Sequence, residues 1–209
     1  MKITASEGKN GKIHVSVDGE YLLTVDSDFW YSCGYGNNAE INSAELEAFI
    51  SSANARRAFN SAMYSLDIRD HSEKEIRIKL SRKFDNEAVD NAVEKLLDLK
   101  LIDDERYAEN LAEELYERKK YGKNRIRTEL FRRGIDSETV NYVLDELFED
   151  NNSDNVERIV DIIQKKYYNK ISDENGRKKV FAALTRLGYS FSDIREALRA
   201  FSDDEYFEE

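Results

Sequence analysis

Ile76-x-x-x-Leu80, Phe84 and Val89-x-x-x-Val93 are followed by Ile126-x-x-x-Leu130, Ile135 and Val140-x-x-x-Leu144, and then by Val180-x-x-x-Leu184, Tyr189 and Ile194-x-x-x-Leu198. With Leu80, Leu130 and Leu184 as equivalent positions, the periods are 50 and 54 residues. A near-constant period of this size marks stacked helical units, each able to bury its apolar stripe only against its neighbours. Such chains present extended surfaces more often than deep catalytic pockets, so a binding protein is the expected class.

The segment before the repeats reads differently. Ile13, Val15 and Val17 alternate with polar residues, and Asp18-Gly19 separates them from Tyr21–Val25. Asp-Gly between two such runs predicts a two-residue hairpin, because both turn positions need positive φ. Lys2–Ala5 is a candidate third strand. Ser27 or Asp26 is expected to cap a short helix through Phe29 and Trp30, and Asn42-x-x-Glu45 predicts the start of a helix running to about Leu66. The expected organisation is a β-hairpin extension with the start of a connecting helix in residues 1–54, then three-helix repeats at 55–102, 103–150 and 151–209. Asp150–Ser153 reads as a linker and Asp203–Glu209 as an acidic tail. Within the repeats, Ser72, Asp85, Asp103, Asp136 and Ser190 are expected N-caps, and Gly134 and Gly188 are expected left-handed residues just past helix ends. The last repeat's middle helix is expected over Lys178–Leu187.

Composition narrows the class. The 209 residues carry a net charge of −11, 36% charged side chains and no proline, which suits a soluble and mostly helical protein. The single cysteine, Cys33, excludes an internal disulfide and points to an intracellular home. No secretory pattern and no long apolar run is present, so a cytoplasmic protein with no membrane partner is expected.

Catalysis is poorly provided for. His14 and His71 fall on a strand face and in a polar loop. No His/Cys group has metal-ligand spacing, and Gly122-Lys123-Asn124 lacks the rest of a phosphate-binding loop. Gly34-Tyr35-Gly36 reads as a turn, and Cys33 as a small core residue. No catalytic residue, metal or cofactor is assigned.

The strongest candidate site is Arg118–Arg133, with eight cations, Arg118, Lys119, Lys120, Lys123, Arg125, Arg127, Arg132 and Arg133, against one acid, Glu129. A charge run alone usually marks a solvated face. Here the imbalance within an acidic chain, and similar cations in the other repeats, argue for a binding surface. Those secondary cations are Lys74, Arg77, Arg82 and Lys83 in the first repeat and Arg177, Lys178, Lys179 and Arg186 in the third. Stacking would align them into a discontinuous basic track. Lys123, Arg127 and Arg132/Arg133 are expected near one side of a helix away from Ile126 and Leu130. Tyr121 and Gly122 are expected to leave the helix N-terminus open to an anion. Tyr107, Tyr116 and Tyr121 are either stacking platforms or core.

The run Asp103-Asp-Glu-Arg-Tyr-Ala108, followed by Arg118-Lys-Lys-Tyr-Gly-Lys-Asn-Arg-Ile-Arg-Thr-Glu-Leu-Phe-Arg-Arg-Gly-Ile135, resembles the RecX regulatory family. Members share an acidic-aromatic helix start, a basic glycine-containing segment, a Glu-Leu and a Gly-Ile. The motif falls on Asp103, Asp104, Arg106, Tyr107, Gly122 and Gly134. The likeness runs from about Leu66 to Leu198, and the hairpin resembles the N-terminal extension of RecX proteins from Gram-positive bacteria. The chain departs from the pattern in lacking a glycine after Lys83 and in its acidic net charge. The resemblance implies a mainly α protein of tandem three-helix repeats in an elongated, curved array, with a small N-terminal β extension. It implies a non-catalytic, cofactor-free cytoplasmic regulator that binds the RecA recombinase filament and modulates it, usually by inhibition; a monomer is expected. A nucleic-acid-binding module that competes for single-stranded DNA is the alternative, and the basic track would serve either.

Overall fold

A computed structural model describes residues 1–149 and 154–201, so the expected linker and acidic tail lie outside the described residues. The chain forms two compact units, Met1–Asp103 and Asp104–Glu209. Among the described residues it is mainly helical, with ten α-helices and one small antiparallel sheet.

The first unit opens with β1 (Lys2–Glu7), β2 (Lys12–Val17) and β3 (Glu20–Asp26), joined by the two-residue β4 (Ala39–Glu40) in the order β3-β2-β1-β4. The Asp18-Gly19 turn has φ of 50° and 89°, the left-handed pair that its sequence predicts. Lys2–Ala5 forms part of β1, while β4 is too short to leave a periodic signal. Alternate residues Ile3, Ile13, Val15, Leu23 and Val25 turn one sheet face inward against Trp30 of α1 (Ser27–Ser32) and Phe49 and Ala53 of α2 (Ser43–Ile68). Asp26 stands before α1 without capping it. Its carboxylate instead holds Lys12 and Asn60.

Helix α2 (Ser43–Ile68) starts in a full capping box between Asn42 and Glu45 and runs unbroken for 26 residues. Its second half packs Ala58 and Ala62 against α3 (Glu73–Leu80) and α4 (Asn86–Asp98), burying Ile76, Leu80, Val89, Val93 and Leu96. One helix thus serves the sheet and the first repeat, and the expected division at residues 54/55 falls inside it. Each large buried side chain contributes about 1.5–3 kcal/mol, which is what holds such short helices.

The second unit holds α5 (Asp104–Glu117), α6 (Lys123–Arg133), α7 (Ser137–Glu149), α8 (Asp154–Lys166), α9 (Glu174–Leu187) and α10 (Phe191–Arg199). Ile126, Leu130, Val140 and Leu144 centre one apolar cluster, and Ile159, Ile163, Val180, Leu184 and Ile194 another. Gly134 and Gly188 end α6 and α9 with φ of 90° and 94°. Helix α9 begins four residues before the expected Lys178. Asp173 caps it through the Gly176 N–H at 2.6 Å, and Gly176 sits where a Cβ would lie 1.7 Å from the Lys170 carbonyl. A glycine is therefore required inside the first turn.

Candidate functional site

Helix α6 carries the core of the basic stretch, and its start is not an open anion site. The N–H groups of Gly122 and Asn124 donate to the carbonyls of Leu187 and Gly188 at 2.8 and 3.2 Å. The C-terminus of α9 butts against the N-terminus of α6, so the negative pole of one helix meets the positive pole of the other. A Cβ on Gly122 would stand 2.6 Å from the Gly188 backbone, and one on Gly188 would stand 2.3 Å from the Arg125 nitrogen. Both glycines are required by close approach. The expectation of an anion at Gly122 is overturned because the chain's own carbonyls occupy its donors.

Two side chains brace this junction, Tyr189 buried and Arg158 partly so. The Tyr189 hydroxyl donates to the Lys120 carbonyl at 2.9 Å, and burial pushes its phenol up to about 12 despite the nearby Arg158 guanidinium. Arg158 lies 3.6 Å over the Tyr116 ring, donates to the Tyr116 carbonyl and pairs with Glu117 at 3.6 Å. Nothing in the sequence singles out Arg158, since a partly buried arginine reads like any surface cation.

The eight cations do not share one face. Lys123 reaches Asp145 on α7 at 2.9 Å, and that contact, with Arg127 also nearby, holds the Asp145 carboxyl below its usual range. Arg127 is half-buried, and its Nε has no hydrogen-bond partner among the described residues. Arg125 and Arg132 instead flank Glu129, at 2.8 and 3.8 Å. Arg133 turns to the Tyr107 hydroxyl at 3.1 Å. Lys123 and Arg132 are nine residues apart, half a turn out of phase, so the expected common side fails on helical geometry. In the preceding segment Arg118 pairs with Glu114 and Lys120 with Glu117, while Lys119 is exposed. Most of the predicted site is therefore a mixed-charge surface. Tyr107 and Tyr116 are buried core residues, and Tyr121 packs against the same core with Arg125 over its ring at 5.6 Å.

The motif acids Asp103 and Asp104 stand at the start of α5, with Arg106 in its first turn. Among the secondary cations, Arg77 is held by Glu73 and Asp90, while Lys74, Arg82 and Lys83 are exposed on the first unit. Arg177 donates to the carbonyls of Ile171 and Phe201 and ties α9 to the end of α10. Lys178 pairs with Glu174 at 2.7 Å. Lys179 and Arg186 are exposed and enter no ion pair among the described residues.

Between α5 and α7 lies a groove of about 450 Å³ walled by Glu109, Glu113, Glu117 and Glu146. The two helices run in the same direction: Tyr116 meets Phe148 at 5.4 Å, while Tyr142 lies near Glu105 and Glu109. Neither has a basic residue in its last turn. Glu146 accepts from the Tyr142 hydroxyl and, with the other carboxylates, pushes that phenol up.

The two histidines and the cysteine are all taken up in structural contacts. His71, expected in a polar loop, is buried, with Nδ1 2.8 Å from the Arg69 carbonyl and Nε2 3.2 Å from the Lys79 ammonium. Burial above all, with those two cations, holds its pKa below the usual value. His14 bonds Thr24 on the sheet surface, and Cys33 packs against the sheet core, burial pushing its thiol up. Among the described residues no group of three His, Cys, Asp or Glu could hold a metal, and no helix is long and apolar enough to cross a membrane.

The fold defines a protein built largely of three-helix domains. Sequence models of the RecX first and second three-helix domains match residues 58–96 and 103–144. The regulatory protein RecX of Chlorobium phaeobacteroides (strain BS1) is 39% identical over 145 residues, covering 68% of this chain and 92% of that one. That of Clostridioides difficile (strain 630) is 26% identical over 209 residues, covering 98% and 97%. A crystal structure of regulatory protein RecX superposes with a TM-score of 0.71 at 22% identity, covering 95% of this chain and 97% of that one, which shows the common fold. This chain belongs to the RecX family.

Proposed function

We propose that this chain binds the RecA recombinase filament and inhibits its ATPase, strand-exchange and coprotease activities, without catalysis of its own. Membership of a family of regulatory proteins supports the regulatory part. The observation that carries the choice of a protein partner is the pairing within Arg118–Arg133. Cations already matched to Glu114, Glu117, Glu129 and Asp145 present alternating charge. Such a surface complements the mixed charges of another protein better than the uniform charge of a bare strand. Competition for single-stranded DNA is the second reading, and it draws on the unpaired cations of α9.

The test is RecA's DNA-dependent ATP hydrolysis with the chain added, alongside the variant Lys123→Glu/Arg127→Glu/Arg132→Glu. Wild type should suppress turnover, and the variant should lose that effect while keeping its helical spectrum, because Ile126 and Leu130 carry the packing of α6. A folded variant that suppresses RecA as wild type does would remove α6 from the contact. Wild type without effect on RecA would overturn the reading itself.

A further inference from the structure

We propose that the outer face of α9 is a direct binding surface for single-stranded polynucleotide, with Phe191 as a base-stacking platform and Lys179 and Arg186 as phosphate contacts. Phe191 is 57% exposed, though it is a large apolar side chain at the first position of α10. It takes no part in the Ile194/Ala197 stripe that buries that helix. Its ring lies 5.5 Å from that of Phe181, which roots it against the core. An exposed ring fixed from below is what base stacking requires, because little freedom is lost when a base settles on it.

The charge around it is unspent. Lys179 and Arg186 are seven residues apart, close to two full turns, so they stand on one face of α9, about 10 Å apart along the axis. They separate two hollows. The one bearing Phe181 and Phe191 measures about 460 Å³ and has no carboxylate in its lining. The other measures about 630 Å³ and adds Lys170, Asn169 and Asn175. Its one carboxylate, Asp173, is committed to the Gly176 N–H. Unlike most of the α6 cations, Lys179 and Arg186 enter no ion pair among the described residues, so a polyanion meets no competitor there. Cations alone would serve any acidic partner. The aromatic pair between them selects one that has both phosphates and exposed rings.

This inference rests on the second reading and gives it a site; its test contains no RecA, so it and the RecA reading can fail separately. The full chain is titrated at low salt into fluorescent oligothymidylate and into an abasic strand of equal length. Wild type should bind the base-bearing strand more tightly. Phe191→Leu, which keeps apolar cover over Phe181, should weaken that binding about 5- to 150-fold, the range measured for lost base stacking, and abolish the preference over the abasic strand. Phe191→Tyr should restore it. Lys179→Gln/Arg186→Gln should weaken both strands and flatten the log–log salt slope by about 1.4, from about 0.7 per phosphate contact. Equal affinity of wild type and Phe191→Leu for oligothymidylate would overturn the proposal. So would absence of binding at low salt, or displacement of the strand by polyglutamate of equal charge with no dependence on residue 191.

Discussion

Replacing Gly122 by alanine tests the junction between α9 and α6. The backbone at Gly122 has φ of −82°, which any residue adopts, so the substitution introduces no local strain. What it introduces is a methyl group 2.6 Å from the Gly188 carbonyl carbon and oxygen and 2.7 Å from the Tyr189 nitrogen. Backbone cannot rotate aside as a side chain can, so the two helix ends must part. Three hydrogen bonds cross the junction: Gly122 to Leu187, Asn124 to Gly188, and Tyr189 to Lys120. At about 1 kcal/mol each the loss is about 3 kcal/mol. Alanine's lower freedom in the unfolded chain offsets about 0.5 kcal/mol. A net loss of about 2–3 kcal/mol should appear as a lower urea midpoint, read by far-ultraviolet circular dichroism. Gly34→Ala is the control, since nothing lies within 4 Å of its Cβ and only its φ of 73° is penalised, by about 1–2 kcal/mol. The Tyr189 hydrogen bond gives a second readout, because a freed phenol should titrate below the value of about 12 that burial imposes. A Gly122→Ala protein with the midpoint and tyrosine titration of wild type would refute the account of the junction.

Two further outcomes follow from burial. Leu130, fully buried at the centre of its cluster, should cost about 2–5 kcal/mol as alanine, whereas half-exposed Phe131 should cost under about 1 kcal/mol, and equal midpoints in denaturant would contradict the assigned helix face. His71 holds its pKa below 6.5 in the folded state, so its contribution is whole above that value and is lost as pH falls and the unfolded chain takes up the proton; the gap between wild type and His71→Gln should shrink below pH 6.5 by up to about 1.4 kcal/mol per pH unit, and a gap constant from pH 7.5 to 5.5 would show that the imidazole does not titrate in this way.

The apolar stripes were legible because helical period and caps are local properties. Ile76, Ile126 and Val180 all prove buried, as do Leu80, Leu130 and Leu184, and Asp85 and Ser190 cap the helices they precede. The state of the basic stretch was not legible, because neutralisation is tertiary. Asp145 lies 22 residues beyond Lys123, and nothing local marks it as the partner. Gly122 did carry a signal, yet a glycine before a helix serves equally for an incoming anion and for an incoming backbone. Phe191 carried one too, as an aromatic that does not fit the core stripe of its own helix. His71 looked solvated because its neighbours in sequence are polar, while its burial comes from the packing of α2 and α3.

The groove between α5 and α7 has a consequence away from itself. Two of its carboxylates, Glu117 and Glu146, stand in the last turns of two parallel helices, where the backbone already contributes partial negative charge. Among the described residues the second unit is therefore an electrical lever: much of its negative charge is gathered on one pair of helices, and two cations without an ion pair, Lys179 and Arg186, stand on α9. A polyanion meets net repulsion from the chain at long range, but it also meets a torque that turns the acidic pair away and brings α9 forward. Encounters are thus sorted by orientation before any atom touches, and raising salt should remove the sorting together with the repulsion.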